Sequence, residues 1–174
     1  RRFMISFMEN TQKSTSASKV AQDSRALVAL LGRSAKTAAS ALPHIPGNTI
    51  TAALNDLAGR LRSRAADILQ VNLKDVEAGK AKGLSPALLD RLTLNESRVE
   101  SIAKSVEVIA ALNDPCGKTL WREERPNGLV IERVSCPIGV LGIIFESRPN
   151  VTVDAAALCL KSRNACILRG GSES

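Results

Sequence analysis

The stretch PIGVLGIIFESRPNVTVDAAALCLKSRNACILRGGSE, residues 137–173, decides the fold of this 174-residue chain. Residues 137–145 are β-branched and almost wholly apolar, which is typical of a strand buried on both faces of a parallel sheet. A helix over 149–161 follows, with proline at its start, and residues 165–168 predict a second buried strand. Strand, crossover helix and strand together predict a right-handed βαβ unit, and therefore an α/β fold.

Polar residues follow the first predicted strand, over 146–150. Ligands bind at the carboxyl ends of strands in open α/β sheets, so this is a candidate site. Asn150 lies at the start of the crossover helix, where its amide can stabilise an oxyanion forming at a carbonyl. The alternative is that Asn150 only caps the helix.

A second polar segment, 169–173, follows the second predicted strand. Arg169, Gly170 and Gly171 can bind phosphate, because glycines let backbone N–H groups approach and arginine is a bidentate donor. The alternative is a tight turn with a surface arginine. The dinucleotide fingerprint GxGxxG is absent, and the glycines inside the first strand are expected to allow close packing of the helix on the sheet; these are Gly139 and Gly142.

The first two-thirds of the chain has helical periodicity. Apolar stripes predict one helix that ends before Pro43, a second that starts at an Asn48 or Thr49 cap and extends through Ile68, and a charged helix over 72–82 that Gly83 ends.

Two further helices are predicted from caps. Ser85 and Pro86 begin one that extends through Leu92, and Asn95 caps a longer one. The runs 119–123 and 129–134 then predict a hairpin around the turn 125–128.

Composition limits the function classes. The formal net charge is +7, but most of the basic surplus lies in residues 1–43, and only 2% of residues are aromatic. Nucleic-acid binding needs clustered cations and stacking platforms, so the body of the chain does not favour it. Residues 136–145 are too short to span a membrane. The four cysteines have no metal-ligand spacing, which predicts buried or half-buried free thiols in a reducing compartment.

Residues 137–173 resemble the signature of the gamma-glutamyl phosphate reductase family, also called glutamate-5-semialdehyde dehydrogenases. The motifs Arg-Pro-Asn-Val-Thr-Val-Asp over 148–154 and Leu-Arg-Gly-Gly-Ser-Glu over 168–173 carry this resemblance. Residues 71–94 are similar to the family's N-terminal region, and the likeness extends from about residue 17 to the end.

The resemblance implies an aldehyde-dehydrogenase-like fold with a cofactor domain, a catalytic domain and an oligomerisation element. It divides the chain into four parts and leaves the catalytic domain outside it. These parts are a disordered tail over 1–16, a helical part of the cofactor-binding domain over 17–118, a hairpin of the oligomerisation element over 119–134, and the start of a Rossmann-like NADP-binding sheet over 135–174.

The resemblance also implies a cytoplasmic homo-oligomer that reduces L-glutamyl 5-phosphate with NADPH to L-glutamate 5-semialdehyde and phosphate, in proline biosynthesis. In this family a cysteine thiolate attacks the acyl phosphate, and hydride reduces the resulting thioester. Asn150 matches the oxyanion-stabilising asparagine, and Arg169 matches the basic residue that faces the ribose 2′-phosphate of NADP(H). The adjoining cofactor-binding positions are matched by Gly170, Gly171, Ser172 and Glu173.

The chain departs from the family in two respects. The family's catalytic cysteine lies beyond residue 174, and the family usually has glycine where Arg163 stands, in a turn that favours positive φ. A chain that begins at Arg1 and stops after the second strand is expected to be an N-terminal fragment without activity of its own. Two alternatives stay open: the reductase half of a bifunctional pyrroline-5-carboxylate synthase, and a non-catalytic basic helical binding module.

Overall fold

The computed structural model describes residues 23–146 and 148–171. The predicted tail over 1–16 and the predicted site residues Ser172 and Glu173 lie outside them. The described helices are 23–41 (α1), Gly47–Ser63 (α2), Ala65–Ala81 (α3), Pro86–Leu92 (α4), Glu96–Ala111 (α5) and Pro149–Lys161 (α6), with a short 3₁₀ turn at Leu42–His44. The described strands are Thr119–Glu124 (β1), Val130–Val134 (β2), Val140–Ile144 (β3) and Ala165–Arg169 (β4). The chain is therefore mixed α/β, as predicted.

The hydrophobic core lies where α2, α5 and α6 pack together. Leu54 of α2 and Val106 of α5 are both fully buried, and Ala157 of α6 is 1% exposed. The remaining buried members of this core are Ile50, Ala58, Ala103, Ile109 and Ala110. These helices hold α6 in place, and α6 carries the candidate Asn150.

Local cap signals fix two helix starts as predicted. The Ser85 side chain accepts a hydrogen bond from the Leu88 N–H at 3.4 Å, and the Asn95 side chain accepts one from the Arg98 N–H at 2.8 Å. Helix α4 ends at Leu92 and α3 ends before Gly83, whose φ is +75°. Each of these features follows from a capping or stop residue next to its helix.

The predicted second helix is wrong in two respects. The chain turns at Arg64, so that stripe is divided between α2 and α3. Both helices have the same apolar period, and periodicity therefore cannot locate the break. Helix α2 also begins one residue before Asn48, with Pro46 at its N-cap, and the Asn48 side chain only accepts the neighbouring Thr49 N–H.

The predicted hairpin is confirmed. Strands β1 and β2 pair antiparallel in their own two-stranded sheet, and the Gly128 N–H closes the turn on the Arg125 carbonyl oxygen at 2.8 Å. Nearly every residue of the two strands is exposed.

The predicted βαβ unit is also confirmed. Strands β3 and β4 pair in parallel, with Val140 opposite Ala165 and Ile144 opposite Arg169, and α6 connects them. The expected burial of both strand faces is wrong, because Ile144 is 78% exposed and β4 is mostly half-buried. Exposed and half-buried residues alternate along β3, so the part of the chain that the structure describes covers only one face of this strand.

Among the described residues, Gly139 and Gly142 do not allow the close packing that was predicted, because no packing neighbour from this part of the chain lies within 4 Å of the Cβ position at either. Gly139 instead has a φ of +119° at the entry to β3. Its N–H donates to the buried Asn164 side chain at 2.7 Å, and its carbonyl oxygen accepts from the Ala165 N–H at 2.9 Å. These two bonds join the amino ends of β3 and β4.

Candidate active site at the carboxyl ends of the parallel strands

The two predicted site segments leave the sheet at one edge. The Phe145 N–H, just after β3, donates to the Arg169 carbonyl oxygen at the end of β4, at 3.1 Å. Because the strands are parallel and in register, the segments that follow them start next to each other. The prediction that they emerge side by side is confirmed.

Asn150 is the second residue of α6 and is exposed. Arg148 occupies the N-cap without a side-chain cap, and Pro149 is the first helical residue, so the interpretation of Asn150 as the helix cap is wrong. The Asn150 amide nitrogen donates to Asp154 Oδ2 at 3.3 Å. A primary amide has a second N–H, which can be given to a ligand.

Asp154 contacts the candidate Asn150, and the sequence reasoning missed it. It lies one helical turn after Asn150, and this i,i+4 spacing is the signal that could have indicated the contact. Its Oδ1 atom is buried and has no hydrogen-bond partner within the described residues. Leaving a buried carboxylate oxygen without a donor is costly, so this oxygen favours a donor that is not among the described residues.

A cavity of about 420 Å³ lies between α4, α5 and the start of α6, and it includes Asn150. Charged side chains of both signs line it: Arg91, Arg98 and Arg148, with Asp90 and Asp154. A second cavity, of about 580 Å³, lies on the other side of Pro149 and is lined mostly by apolar side chains of α2, α3, α5 and α6. The polar cavity is the one that contains the candidate catalytic group.

Arg169 is the last residue of β4 and is exposed. Gly170 and Gly171 follow it and are half-buried. An exposed guanidinium at a strand end, followed by glycines, is suited to a phosphate group. Ser172 and Glu173 lie outside the described residues.

The four cysteines lie either away from the carboxyl ends of β3 and β4 or inside a helix or strand. Cys159 is buried in α6, Cys116 and Cys166 are half-buried, and all four thiols are free. Cys136 is exposed, which corrects the expectation that each thiol is at least half-buried. Burial raises the pKa of the Cys159 thiol, which disfavours the nucleophilic thiolate there.

Residues 23–146 and 148–171 contain neither a metal-site cluster nor a membrane-spanning helix. Within them, no group of three or more His, Cys, Asp or Glu side chains is arranged to hold a metal ion. None of the helices in this part of the chain is long and apolar enough to cross a bilayer.

Comparisons with known proteins give one consistent relationship. No family model matches the chain. It is 53% identical over 154 residues to the gamma-glutamyl phosphate reductase of Methylorubrum populi, covering 88% of this chain and 36% of the relative. It is 56% identical over 152 residues to that of Paramagnetospirillum magneticum, covering 87% and 36%. The chain thus spans about a third of the length of these curated relatives.

Two solved structures share the fold. The gamma-glutamyl phosphate reductase of Thermotoga maritima superposes with a TM-score of 0.79 at 40% identity, covering 81% of this chain and 34% of that one. That of Saccharomyces cerevisiae gives a TM-score of 0.78 at 36% identity, covering 82% and 36%. In sequence and in fold, the chain is therefore similar to the N-terminal third of the gamma-glutamyl phosphate reductases.

Proposed function

We propose that this chain supplies the oxyanion-binding group and part of the nucleotide site of an NADPH-dependent reductase. The reaction is reduction of L-glutamyl 5-phosphate to L-glutamate 5-semialdehyde with release of phosphate, a step of proline biosynthesis. The observation that carries the proposal is the parallel pairing of β3 with β4, because it brings Asn150 and Arg169 to one edge of the sheet. The relatives are gamma-glutamyl phosphate reductases, which supports this substrate and reaction class.

In this proposal Asn150 binds the oxygen of the acyl carbonyl. That oxygen gains negative charge when a nucleophile adds to the carbon, and a preorganised N–H donor stabilises the developing charge. The Asn150 amide nitrogen donates one hydrogen to Asp154 Oδ2, with the nitrogen and oxygen 3.3 Å apart, and its second hydrogen is left for the oxyanion. Removing one such donor typically slows the reaction by about 10²–10³-fold.

The nucleotide side of the site is assigned to Arg169 with Gly170, Gly171, Ser172 and Glu173. Bound NADPH supplies the hydride that reduces the acyl group. The Arg169 guanidinium is suited to the 2′-phosphate of NADP(H), and the glycines give the backbone access to the ribose and phosphates.

The nucleophile is assigned to a cysteine in the part of the relatives' length that this chain does not span. Cys159 and Cys166 lie inside α6 and β4, at positions that serve the packing of helix on sheet. Without a thiolate there is no covalent step, and we expect the 174 residues alone to have no turnover.

The remaining assignments follow the family. Residues 17–118 and 135–174 form part of the cofactor-binding domain, and the hairpin over 119–134 belongs to the oligomerisation element of a homo-oligomer. Within the described residues, the exposed strands β1 and β2 form a two-stranded sheet with unpaired outer edges, which fits an element that is completed by another chain. We place the protein in the cytoplasm, where thiols stay reduced.

The test is a hybrid enzyme, in which this chain replaces the corresponding N-terminal third of the Methylorubrum populi reductase. We expect it to reduce NADP⁺ in the presence of glutamate 5-semialdehyde and phosphate, and the isolated chain to give no turnover. A hybrid that is folded but inactive, while the parent reductase is active in the same assay, contradicts the proposal.

A further inference from the structure

The polar cavity beside Asn150 carries charges that its own residues do not neutralise. Arg98 is already occupied, because its guanidinium donates to Asp90 Oδ1 at 3.0 Å and to the Thr93 carbonyl oxygen at 2.6 Å. Arg91 and Arg148 line the same cavity, and neither side chain forms an ion pair within residues 23–146 and 148–171.

Asp154 supplies a negative charge to the same cavity. Its Oδ2 accepts from Asn150 at 3.3 Å, while the buried Oδ1 has no donor among the described residues. A carboxylate in this situation favours a cationic donor, because a charge-assisted hydrogen bond is about twice as strong as a neutral one. Together with the arginines, it gives the cavity the charge pattern that complements a zwitterion.

The spacing along α6 also fits an amino acid. Four residues of helix advance about 6 Å, which separates the backbones of Asn150 and Asp154, whereas the Asn150 amide nitrogen and Asp154 Oδ2 lie 3.3 Å apart. In γ-glutamyl phosphate two methylene groups separate the reacting carbonyl carbon from the α-carbon. A carbonyl bound at Asn150 therefore leaves the α-carbon two methylene groups away, beside the cavity that Asp154 and Arg148 line.

We propose that this cavity binds the α-amino-acid end of the substrate, with Asp154 accepting the α-ammonium group and Arg148 binding the α-carboxylate. The proposal rests on the proposed function, which places the acyl carbonyl at Asn150. In this proposal Asp154 is the residue that distinguishes a substrate with an α-amino group from the same substrate without it.

The experiment compares two aldehydes in the hybrid enzyme: glutamate 5-semialdehyde and 5-oxopentanoate, which lacks only the α-amino group. In Asp154→Asn we expect kcat/KM for the amino substrate to fall about ten- to a hundred-fold more than kcat/KM for 5-oxopentanoate. The same substrate solutions serve all variants, so the fraction of semialdehyde that cyclises cancels in the comparison. Asp56→Asn is the matched control, since Asp56 is exposed and its ion-pair partner within the described residues is Arg60.

Two outcomes overturn the proposal while the hybrid stays active. Equal losses with both aldehydes show that Asp154 only orients Asn150, and unchanged kinetics show that it has no role. A hybrid that turns over neither aldehyde contradicts the proposed function instead, and binding to the 174-residue chain then decides. In that case we expect L-glutamine to shift the NMR signals of the Asn150 side-chain amide in a saturable way. We expect no such shifts when 4-carbamoylbutanoate replaces L-glutamine, or when L-glutamine is added to Asp154→Asn. Equal shifts in the three experiments overturn the proposal.

Discussion

The guanidinium of Arg163 forms a bidentate ion pair with the carboxylate of Asp114, with Nη1–Oδ1 at 2.8 Å and Nη2–Oδ2 at 2.6 Å. Its Nε donates to the Ile45 carbonyl oxygen at 3.1 Å. Arg163 lies in the turn between α6 and β4 with a φ of +55°, a conformation that favours glycine. The pair therefore joins this turn to the segment after α5 and to the segment before α2, at the end of the sheet away from the candidate site.

Substituting Arg163 with alanine should destabilise the chain. Breaking a fully buried ion pair costs about 3–5 kcal/mol. Arg163 is 10% exposed but the Asp114 side chain is 38% exposed, so solvent screens the pair. We therefore expect the free energy of unfolding of Arg163→Ala to fall by about 2 kcal/mol, measured by urea denaturation. A change within the error of the extrapolation would show that the pair contributes nothing.

Arg163→Gly separates the ion pair from the backbone strain. Glycine loses the same pair but adopts positive φ without the cost of about 1–2 kcal/mol that other residues incur. We expect Arg163→Gly to be more stable than Arg163→Ala by about 1 kcal/mol in the same urea titration. Equal stability of the two variants would contradict the left-handed conformation at this position.

The ion pair between Arg163 and Asp114 predicts that the chain loses stability at acid pH. The hydrogen bonds from Arg163, followed by that from the Cys116 backbone N–H, hold the pKa of Asp114 below its ordinary value. A group whose pKa is lowered on folding stabilises the fold above its unfolded pKa, about 3.9, and this contribution is lost as the pH falls through the lower folded value. We expect Asp114→Asn to be less stable than the wild type at pH 7 and to lose less stability below pH 4 (about the unfolded value). Parallel stability–pH curves for the two proteins would contradict the lowered pKa.

The core centred on Leu54 predicts a large packing effect. Leu54 is fully buried against α5 and α6, so Leu54→Ala leaves a cavity and should cost about 3 kcal/mol. Leu73 on α3 is 62% exposed, and Leu73→Ala should change the stability by less than about 0.5 kcal/mol. Urea denaturation of both variants measures the difference, and similar losses at the two positions would contradict the location of the core.

Thiol exposure predicts the order of alkylation. Cys136 is exposed and should react first with iodoacetamide, whereas burial of Cys159 shields its thiol and raises its pKa. We expect Cys159 to be labelled only when denaturant is added, as followed by mass spectrometry. Cys136→Ser should remove the fast phase alone. Fast labelling of Cys159 in the native chain would contradict its placement in α6.

Local signals explain which parts of the fold could be predicted from the sequence. The caps at Ser85 and Asn95, the turn ending at Gly128 and the apolar runs of β3 and β4 each act through neighbours in the chain. The burial of β3 could not be predicted, because it depends on how many elements cover the sheet rather than on its own composition.

The other features could not be predicted because they depend on contacts between residues that are far apart in the sequence. Arg163 and Asp114 are 49 positions apart, and no periodicity pairs them, although the positive φ at Arg163 was expected from its turn. Asn150 was predicted as a site residue from its place after a strand, but the role of Asp154 required the fold. The burial of its unpartnered Oδ1 and the cavity beside it depend on the packing of α4 and α5 next to α6, which the sequence alone does not show.

The central claim is that one edge of the sheet holds both the reacting carbonyl and the nucleotide. The most direct test is to measure the kinetics of the hybrid enzyme with Asn150 and Arg169 substituted separately. Asn150→Ala should lower kcat by about 10²–10³-fold with little change in KM for NADP⁺. Arg169→Ala should raise KM for NADP⁺ about tenfold and leave kcat nearly unchanged, since it removes a phosphate contact present in both ground and transition states. If neither substitution changes the kinetics of a folded, active hybrid, the claim is wrong.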